Sequence, residues 1–290
     1  MRCYSSYPAI LLLAIALIAH AGTDVEQNLR EHYQRKVFLL RSFCQGDRLH
    51  FDSAGTSSQC ARSGDWTING FVLVKGIHLS PRRVSIKGNR LLLRFDGNEF
   101  QSQHGDKFQI NAEVDANHPS QADVDAALSK IFLTSQDDLS EIVPDYWKPC
   151  VKVGRSGKQG CQLSPELASV PGVPRPANAQ TGPDESVNTS AANRELFKVG
   201  KGVTPPRVLH QSDIQYSELA RKARYQGTVT LGLTVDATGT PQNLHIVSPL
   251  GLGLDSKAIE SVQKWRFEPA KKNGEPVAVE IGVEVAFHLY

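Results

Sequence analysis

Gly227-Thr-Val-Thr-Leu-Gly-Leu-Thr-Val-Asp236 alternates apolar and small or polar residues, as a half-buried strand does. A second apolar run, Leu244-His-Ile-Val-Ser248, follows the turn Asp236-Ala-Thr-Gly239, so the two read as a hairpin. Next comes Leu254-Asp-Ser-Lys-Ala-Ile-Glu-Ser-Val-Gln-Lys-Trp-Arg-Phe-Glu-Pro269, in which Ala258, Ile259, Val262 and Trp265 share one helical face. Asp255 is expected as the N-cap of this helix, with Leu254 and Ile259 as a hydrophobic staple. Pro269 ends the segment, and Asn273-Gly274 turns the chain back. In the last strand Val277, Val279, Ile281, Val283, Val285 and Phe287 alternate with Ala278, Glu280, Gly282, Glu284 and Ala286. The order is strand, strand, helix, strand: a small sheet with two open edges and a helix on its apolar face.

An open edge is a hazard unless charges protect it or a partner uses it. An extended peptide laid along the last strand would gain main-chain hydrogen bonds with little dependence on side chains. Val277, Val279, Glu280, Ile281, Gly282, Val283, Glu284, Val285 and Phe287 are therefore the candidate binding edge. Glu280 and Glu284 also serve to keep that edge soluble.

The rest of the chain frames this module. Two domains suit 290 residues, and 21% charged with 40% hydrophobic residues suits a globular protein. The net charge of +2 argues neither for nor against nucleic acid, and none is expected as a partner. Arg2, the apolar run Ala9 to Ala19 and Ala19-His20-Ala21 have the pattern of a secretory signal peptide. The alternative is a retained anchor over residues 1–21. Removal of the signal leaves Cys44, Cys60, Cys150 and Cys161, an even set that favours disulfides in an exported chain. Proximity favours Cys44 with Cys60 and Cys150 with Cys161. No Cys-x-x-Cys pair or His at ligand spacing supports zinc, and no metal or cofactor is expected.

Residues 22–165 read as a β-rich domain, either an antiparallel sheet or a small barrel. Its strand candidates are Val37–Arg41, Leu49–Phe51, Trp66–Leu79, Val84–Ile86, Leu91–Phe95 and Phe108–Val114, with Gly88-Asn89 as a two-residue turn. Residues 24 to 35 are polar and helix-compatible with little apolar periodicity. A later helix is capped by Ser120, with Asp123 three residues on and Val124, Leu128, Ile131 and Phe132 on one face. Tyr146 and Trp147 read as packing groups. His50, His78, His104 and His118 are scattered, and no catalytic signature is present, so an enzyme is not expected. Residues 166–206, rich in Pro, Ala and Ser, read as a flexible linker.

The C-terminal motifs resemble the C-terminal domain of the TonB energy-transducer family over residues 204 to 290. The resemblance rests on Gly227, Val229, Val235, Asp236 and Gly239, then Leu254 and Asp255, then Trp265-Arg266-Phe267-x-Pro269-Ala270, then Gly274, Pro276 and Val277. It implies a binding role: capture of the TonB box of outer-membrane receptors by strand addition, with force delivered through an ExbB–ExbD complex. The fold so expected is α+β, with a β-rich N-terminal domain, a Pro-rich linker and a β-β-α-β domain over 207–290. The expected setting is the periplasm, or an inner-membrane anchor facing it. A homo-oligomeric scaffold, such as a homodimer paired through the same edge, is the alternative. Two positions depart from the family pattern: Tyr216 is followed by Ser217 rather than Pro, and Ala16 stands where the anchor's Ser precedes its His, here His20.

Overall fold

The structure is a computed structural model that describes residues 25–61, 64–152, 161–173, 196–200 and 202–289. The segment 1–21 and most of the expected connector lie outside the described residues.

Along the chain, α1 (25–33) precedes β1 (Val37–Leu39), β2 (Phe43–Cys44), β3 (Arg48–Phe51) and β4 (Cys60–Ala61). Then come α2 (Trp66–Asn69), β5 (Phe71–Ser80), β6 (Arg83–Phe95), β7 (Glu99–Glu113) and α3 (Gln121–Ser129). Next are α4 (Leu139–Ile142), a 3-10 turn (Asp145–Trp147), α5 (Lys148–Lys152), β8 (Gln162–Leu163) and α6 (Pro165–Ala168). The last part holds β9 (Phe197–Lys198), β10 (Arg207–His210), α7 (Glu218–Lys222), β11 (Gly227–Val235), β12 (Pro241–Ser248) and α8 (Leu254–Val262). It closes with β13 (Arg266–Glu268), β14 (Ala270–Lys272), β15 (Glu275–Val277) and β16 (Val279–Phe287).

The described residues form two compact units, one from those within 25–61, 70–91 and 104–134, the other from those within 64–69, 92–103 and 135–289. In the first, the strands run in the order β1-β5-β6-β7-β3. The expected antiparallel pairing holds for β1, β5 and β6, whereas β3 joins β7 in parallel, Leu49 opposite Ile110. Leu29 and Tyr33 of α1 and Val124 and Leu128 of α3 share the core with Val72, Val74, Ile86 and Ile110 of the sheet. Val25, Leu29 and Tyr33 recur every fourth residue, so α1 has an apolar stripe after all. The Tyr33 hydroxyl donates to Asp125 at 2.7 Å and ties α1 to α3, which starts at the expected Ser120–Asp123 capping box. Of the histidines in this unit, His78 pairs with Glu26 at 2.7 Å.

Two expectations in this region are corrected. Gly88-Asn89 is no turn but the middle of β6, and the β5–β6 hairpin turns at Pro81-Arg82, where Arg82 has φ 57°. Glycine is needed at 88 because a Cβ would strike the Leu73 carbonyl and the Phe108 ring. Trp66 opens a helical turn rather than a strand, and Asp65 accepts the Thr67 N–H at its start.

In the second unit, Trp66, Phe100 and Trp147 meet edge-on or tilted with centroids 5.3–6.2 Å apart, so Trp147 is indeed a packing group. The described chain continues through β8 and α6 to 173, with Leu167 fully buried, beyond the start expected for the linker. The disulfides pair Cys44 with Cys60 and Cys150 with Cys161.

The C-terminal sheet has the order β12-β11-β16-β9. Val229, Leu231, Leu233 and Val235 are all fully buried, and Ala258, Ile259 and Val262 of α8, with Trp265 just beyond its end, are buried as well. At about 25 cal/mol per Å² of apolar area, each such side chain contributes roughly 1.5–3 kcal/mol when fully buried. That burial, not helix propensity, holds a helix of two and a half turns in place.

Candidate functional site

The candidate site is the outer edge of β16. On its inner side β16 runs antiparallel to β11 without a break, from Gly227 opposite Phe287 to Val235 opposite Val279. On its outer side, β9 pairs in parallel with Val279 and Glu280 only. From Ile281 to Phe287 no strand among the described residues covers the edge.

Alternation along β16 sets what an incoming chain would meet. Val279, Val285 and Phe287 are buried, whereas Ile281 and Val283 are half-buried although they lie opposite the buried Leu233 and Leu231. Glu280, Gly282, Glu284 and Ala286 are exposed on the other face. Val277 does not belong to this edge. It lies in β15, paired with Ala270 in a hairpin that turns at Asn273-Gly274 (φ 54° and 87°), and Ala278 separates β15 from β16. Two positive φ values in a two-residue loop are what a strand-compatible hairpin demands.

The Trp-Arg-Phe-x-Pro element forms the platform behind the sheet. Trp265 and Phe267 are buried, and the Trp265 indole N–H donates to Ser261 Oγ at 3.3 Å. Arg266 and Phe267 lie in β13, paired with β10, and the Arg266 guanidinium donates to the Trp265 carbonyl at 2.6 Å. The β11–β12 turn docks on this element, the Phe267 N–H donating to the Gly239 carbonyl at 2.9 Å. Gly239 has φ 82°, and a Cβ there would run into the Phe267 carbonyl, so the Asp-x-x-Gly and Trp-Arg-Phe motifs are two halves of one contact. Burial would raise the Asp236 carboxyl, but bonds from Thr238, Thr240 and Gln242 together hold it below the usual range. Ser217, where the family has Pro, caps α7 by accepting the Ala220 N–H at 3.0 Å.

Asp255 is not the helix N-cap. That place belongs to Gly253 (φ 78°), and the buried Asp255 carboxylate accepts the Leu250 and Gly251 N–H groups at 2.8 and 2.7 Å. The loop so fixed bonds the end of β6: Phe95 N–H donates to Leu250 O, and Leu252 N–H to Leu93 O. Beside it Ser256 Oγ donates to Asp65 at 2.8 Å, and Tyr225 donates to the Phe95 carbonyl at 2.8 Å. Burial pushes Asp255 up to about 7, against the pull of its two N–H partners, and Asp65 adds to the rise. Burial raises Asp65 as well. Spacing alone could not reveal this carboxylate's partners, because they precede it in a loop.

Among the described residues no cluster of His, Cys, Asp or Glu is placed to hold a metal ion. No helix there is long and apolar enough to cross a membrane.

Comparison with known proteins finds matches over the same C-terminal residues. Residues 212–289 match the family described as Gram-negative bacterial TonB protein C-terminal. Protein TonB of Vibrio cholerae is 34% identical over 86 residues, covering 29% of this chain and 35% of that protein. Protein tonB2 of Pseudomonas aeruginosa is 32% identical over 82 residues, covering 28% and 30%. Protein TonB of Xanthomonas campestris is 32% identical over 90 residues, covering 31% and 37%. The chain thus spans about a third of the length of these relatives. A solution structure of the Pseudomonas aeruginosa TonB CTD aligns over 32% of this chain and 94% of its own length, at 18% identity and a TM-score of 0.26. Residues 212–289 are thus similar to the C-terminal domain of TonB proteins, in the family match and in the curated relatives alike.

Proposed function

We propose that this protein is a periplasmic adaptor of the energy-transducer type, whose C-terminal domain captures the TonB box of outer-membrane receptors by strand addition along β16. The observation that carries this reading is the one-sided pairing of β16, bonded to β11 throughout and to β9 only at Val279 and Glu280. An extended segment added there would satisfy main-chain groups that otherwise face water, with Ile281 and Val283 offering apolar contact on alternate positions. We read this as binding, because what the edge offers an incoming chain is main-chain groups, with aliphatic side chains at Ile281 and Val283. The two disulfides fit an oxidising compartment. Coupling to an ExbB–ExbD complex would require residues 1–21 to stay as an anchor. Mass measurement of the native protein decides that point.

The test is a titration of a fluorescent TonB-box peptide against the full chain, read by anisotropy. Saturable binding that a proline-substituted peptide cannot reproduce supports strand addition, because proline removes the N–H that the edge would accept. Absence of saturable binding rejects it. The same edge fits a second copy of the chain, and light scattering that shows a dimer dissolved by peptide would assign both uses to β16.

A further inference from the structure

We propose that the N-terminal unit carries a binding site for a sugar phosphate, in a cavity of about 300 Å3 on the β5-β6-β7-β3 part of its sheet. Four cations line it, one from each of four neighbouring strands: Lys75, Lys87, Lys107 and Arg48. One carboxylate, that of Asp47, stands against them. None of the four has an ion-pair partner among the described residues. Unpaired like charges brought together repel one another, and an anion between them relieves that repulsion.

The cavity is built into the sheet. A bulge between Val74 and Gly76 inserts Lys75 out of register, so that it lines the same cavity as Lys87, which faces Gly76. Bulges re-aim side chains in this way. Gly88 has no room for a Cβ, because the Leu73 carbonyl and the Phe108 ring occupy that space; the Phe108 ring packs in the core beneath, so the strands that carry the lysines approach closely there. The Arg48 side is fixed by Arg90, whose buried guanidinium donates to the Cys44 and Gly46 carbonyls at 2.7 and 2.9 Å. The Cys44–Cys60 disulfide clamps the same loop.

Asn89 identifies what the ligand must offer besides charge. Its Nδ2 donates to the Gly105 carbonyl at 2.9 Å, which fixes the orientation of the amide. Its Oδ1 is buried without a hydrogen-bond partner among the described residues, and Asn89 lines the cavity. A buried acceptor left unpaired costs about 1–3 kcal/mol, so a ligand hydroxyl that donates to it gains accordingly. The ligand therefore combines a concentrated negative charge with hydroxyl donors. A phosphate monoester carries nearly two negative charges at neutral pH on one compact group, a better match to four convergent cations than a single carboxylate. A free sugar phosphate and one borne by a lipid present the same chemistry to the cavity.

The test uses the full chain and three soluble probes: glucose 1-phosphate, methyl phosphate and glucuronate. Amide NMR shifts at Lys87, Asn89 and Lys107 with glucose 1-phosphate are expected, with methyl phosphate and glucuronate each weaker by about tenfold. The exposed pair Lys87→Gln and Lys107→Gln, which breaks no side-chain hydrogen bond or ion pair among the described residues, should weaken glucose 1-phosphate by about tenfold or more while the thermal transition stays in place. Co-sedimentation with phosphatidylcholine vesicles that contain monophosphoryl lipid A, a lipid with a phosphorylated sugar headgroup, assigns a lipid-borne source; binding of glucose 1-phosphate without co-sedimentation assigns a free one. The proposal is overturned if glucose 1-phosphate does not bind, or if its binding survives the double substitution. Equal binding of methyl phosphate removes the sugar, and tighter binding of glucuronate removes the phosphate.

Discussion

Phe197 lies beside Val279 in parallel register, its N–H donating to the Ala278 carbonyl at 3.0 Å and its ring beneath the Lys272 ammonium at 4.0 Å. The chain that leaves the connector thus adds a strand to the very edge assigned to a partner, but covers only its first two residues. Phe197→Ser removes the ring that the lysine caps and should loosen β9. Faster hydrogen exchange at Glu280, whose N–H is on the β9 side, with Val229 and Leu231 unchanged, is the expected result. A peptide footprint that then extends back from Ile281 to Val279 would show that β9 and the peptide compete.

Gly239→Ala should destabilise the C-terminal domain by about 2 kcal/mol or more, since it combines a left-handed backbone with a clash against the Phe267 carbonyl. Gly274→Ala is the control. Its φ of 87° is equally left-handed, but nothing lies within 4 Å of an added Cβ, so a loss of only about 1 kcal/mol is expected. Denaturant unfolding of both variants measures the difference.

Asp255 makes the stability of the second unit depend on pH. Its folded pKa is raised from 3.8 to about 7. A raised value means that the folded state holds the proton more tightly, so the stabilising contribution is complete below about pH 4 and lost as pH rises through about 7. Asp65 shifts in the same direction. The change is on the order of a few kcal/mol. Thermal unfolding should therefore move to lower temperature between mildly acidic and neutral pH. Asp255→Asn should flatten that dependence, at the cost of one backbone bond, because an amide nitrogen cannot accept the second N–H.

The face of β11, the apolar side of α8 and the Ser120 cap were all legible in the sequence, because local periodicity and capping chemistry decide them. What escaped were features set by neighbours distant in the chain. Gly88 looked like a turn residue, but its lack of a side chain serves the close approach of Leu73 and Phe108. Trp66 looked like a strand start, although Asp65 before it was the capping signal for a helical turn. Val277 continues the alternation of β16, yet the Asn273-Gly274 hairpin claims it first. Arg48, Lys75, Lys87 and Lys107 become one group only through the strand order.

Ile281 and Val283 are half-buried, so Ile281→Ser and Val283→Ser should each cost the fold about 1 kcal/mol or less. Peptide affinity should fall by a few-fold with each, since main-chain bonds supply most of it and side chains tune it. Anisotropy titrations with the two variants read this directly.

The most direct test of the central claim is hydrogen exchange at single-amide resolution on the full chain, with and without a TonB-box peptide. The account expects new protection confined to alternate amides between Ile281 and Phe287, the spacing at which an edge strand presents its N–H groups. Protection elsewhere in the domain, with the exchange of β16 unchanged, would contradict it.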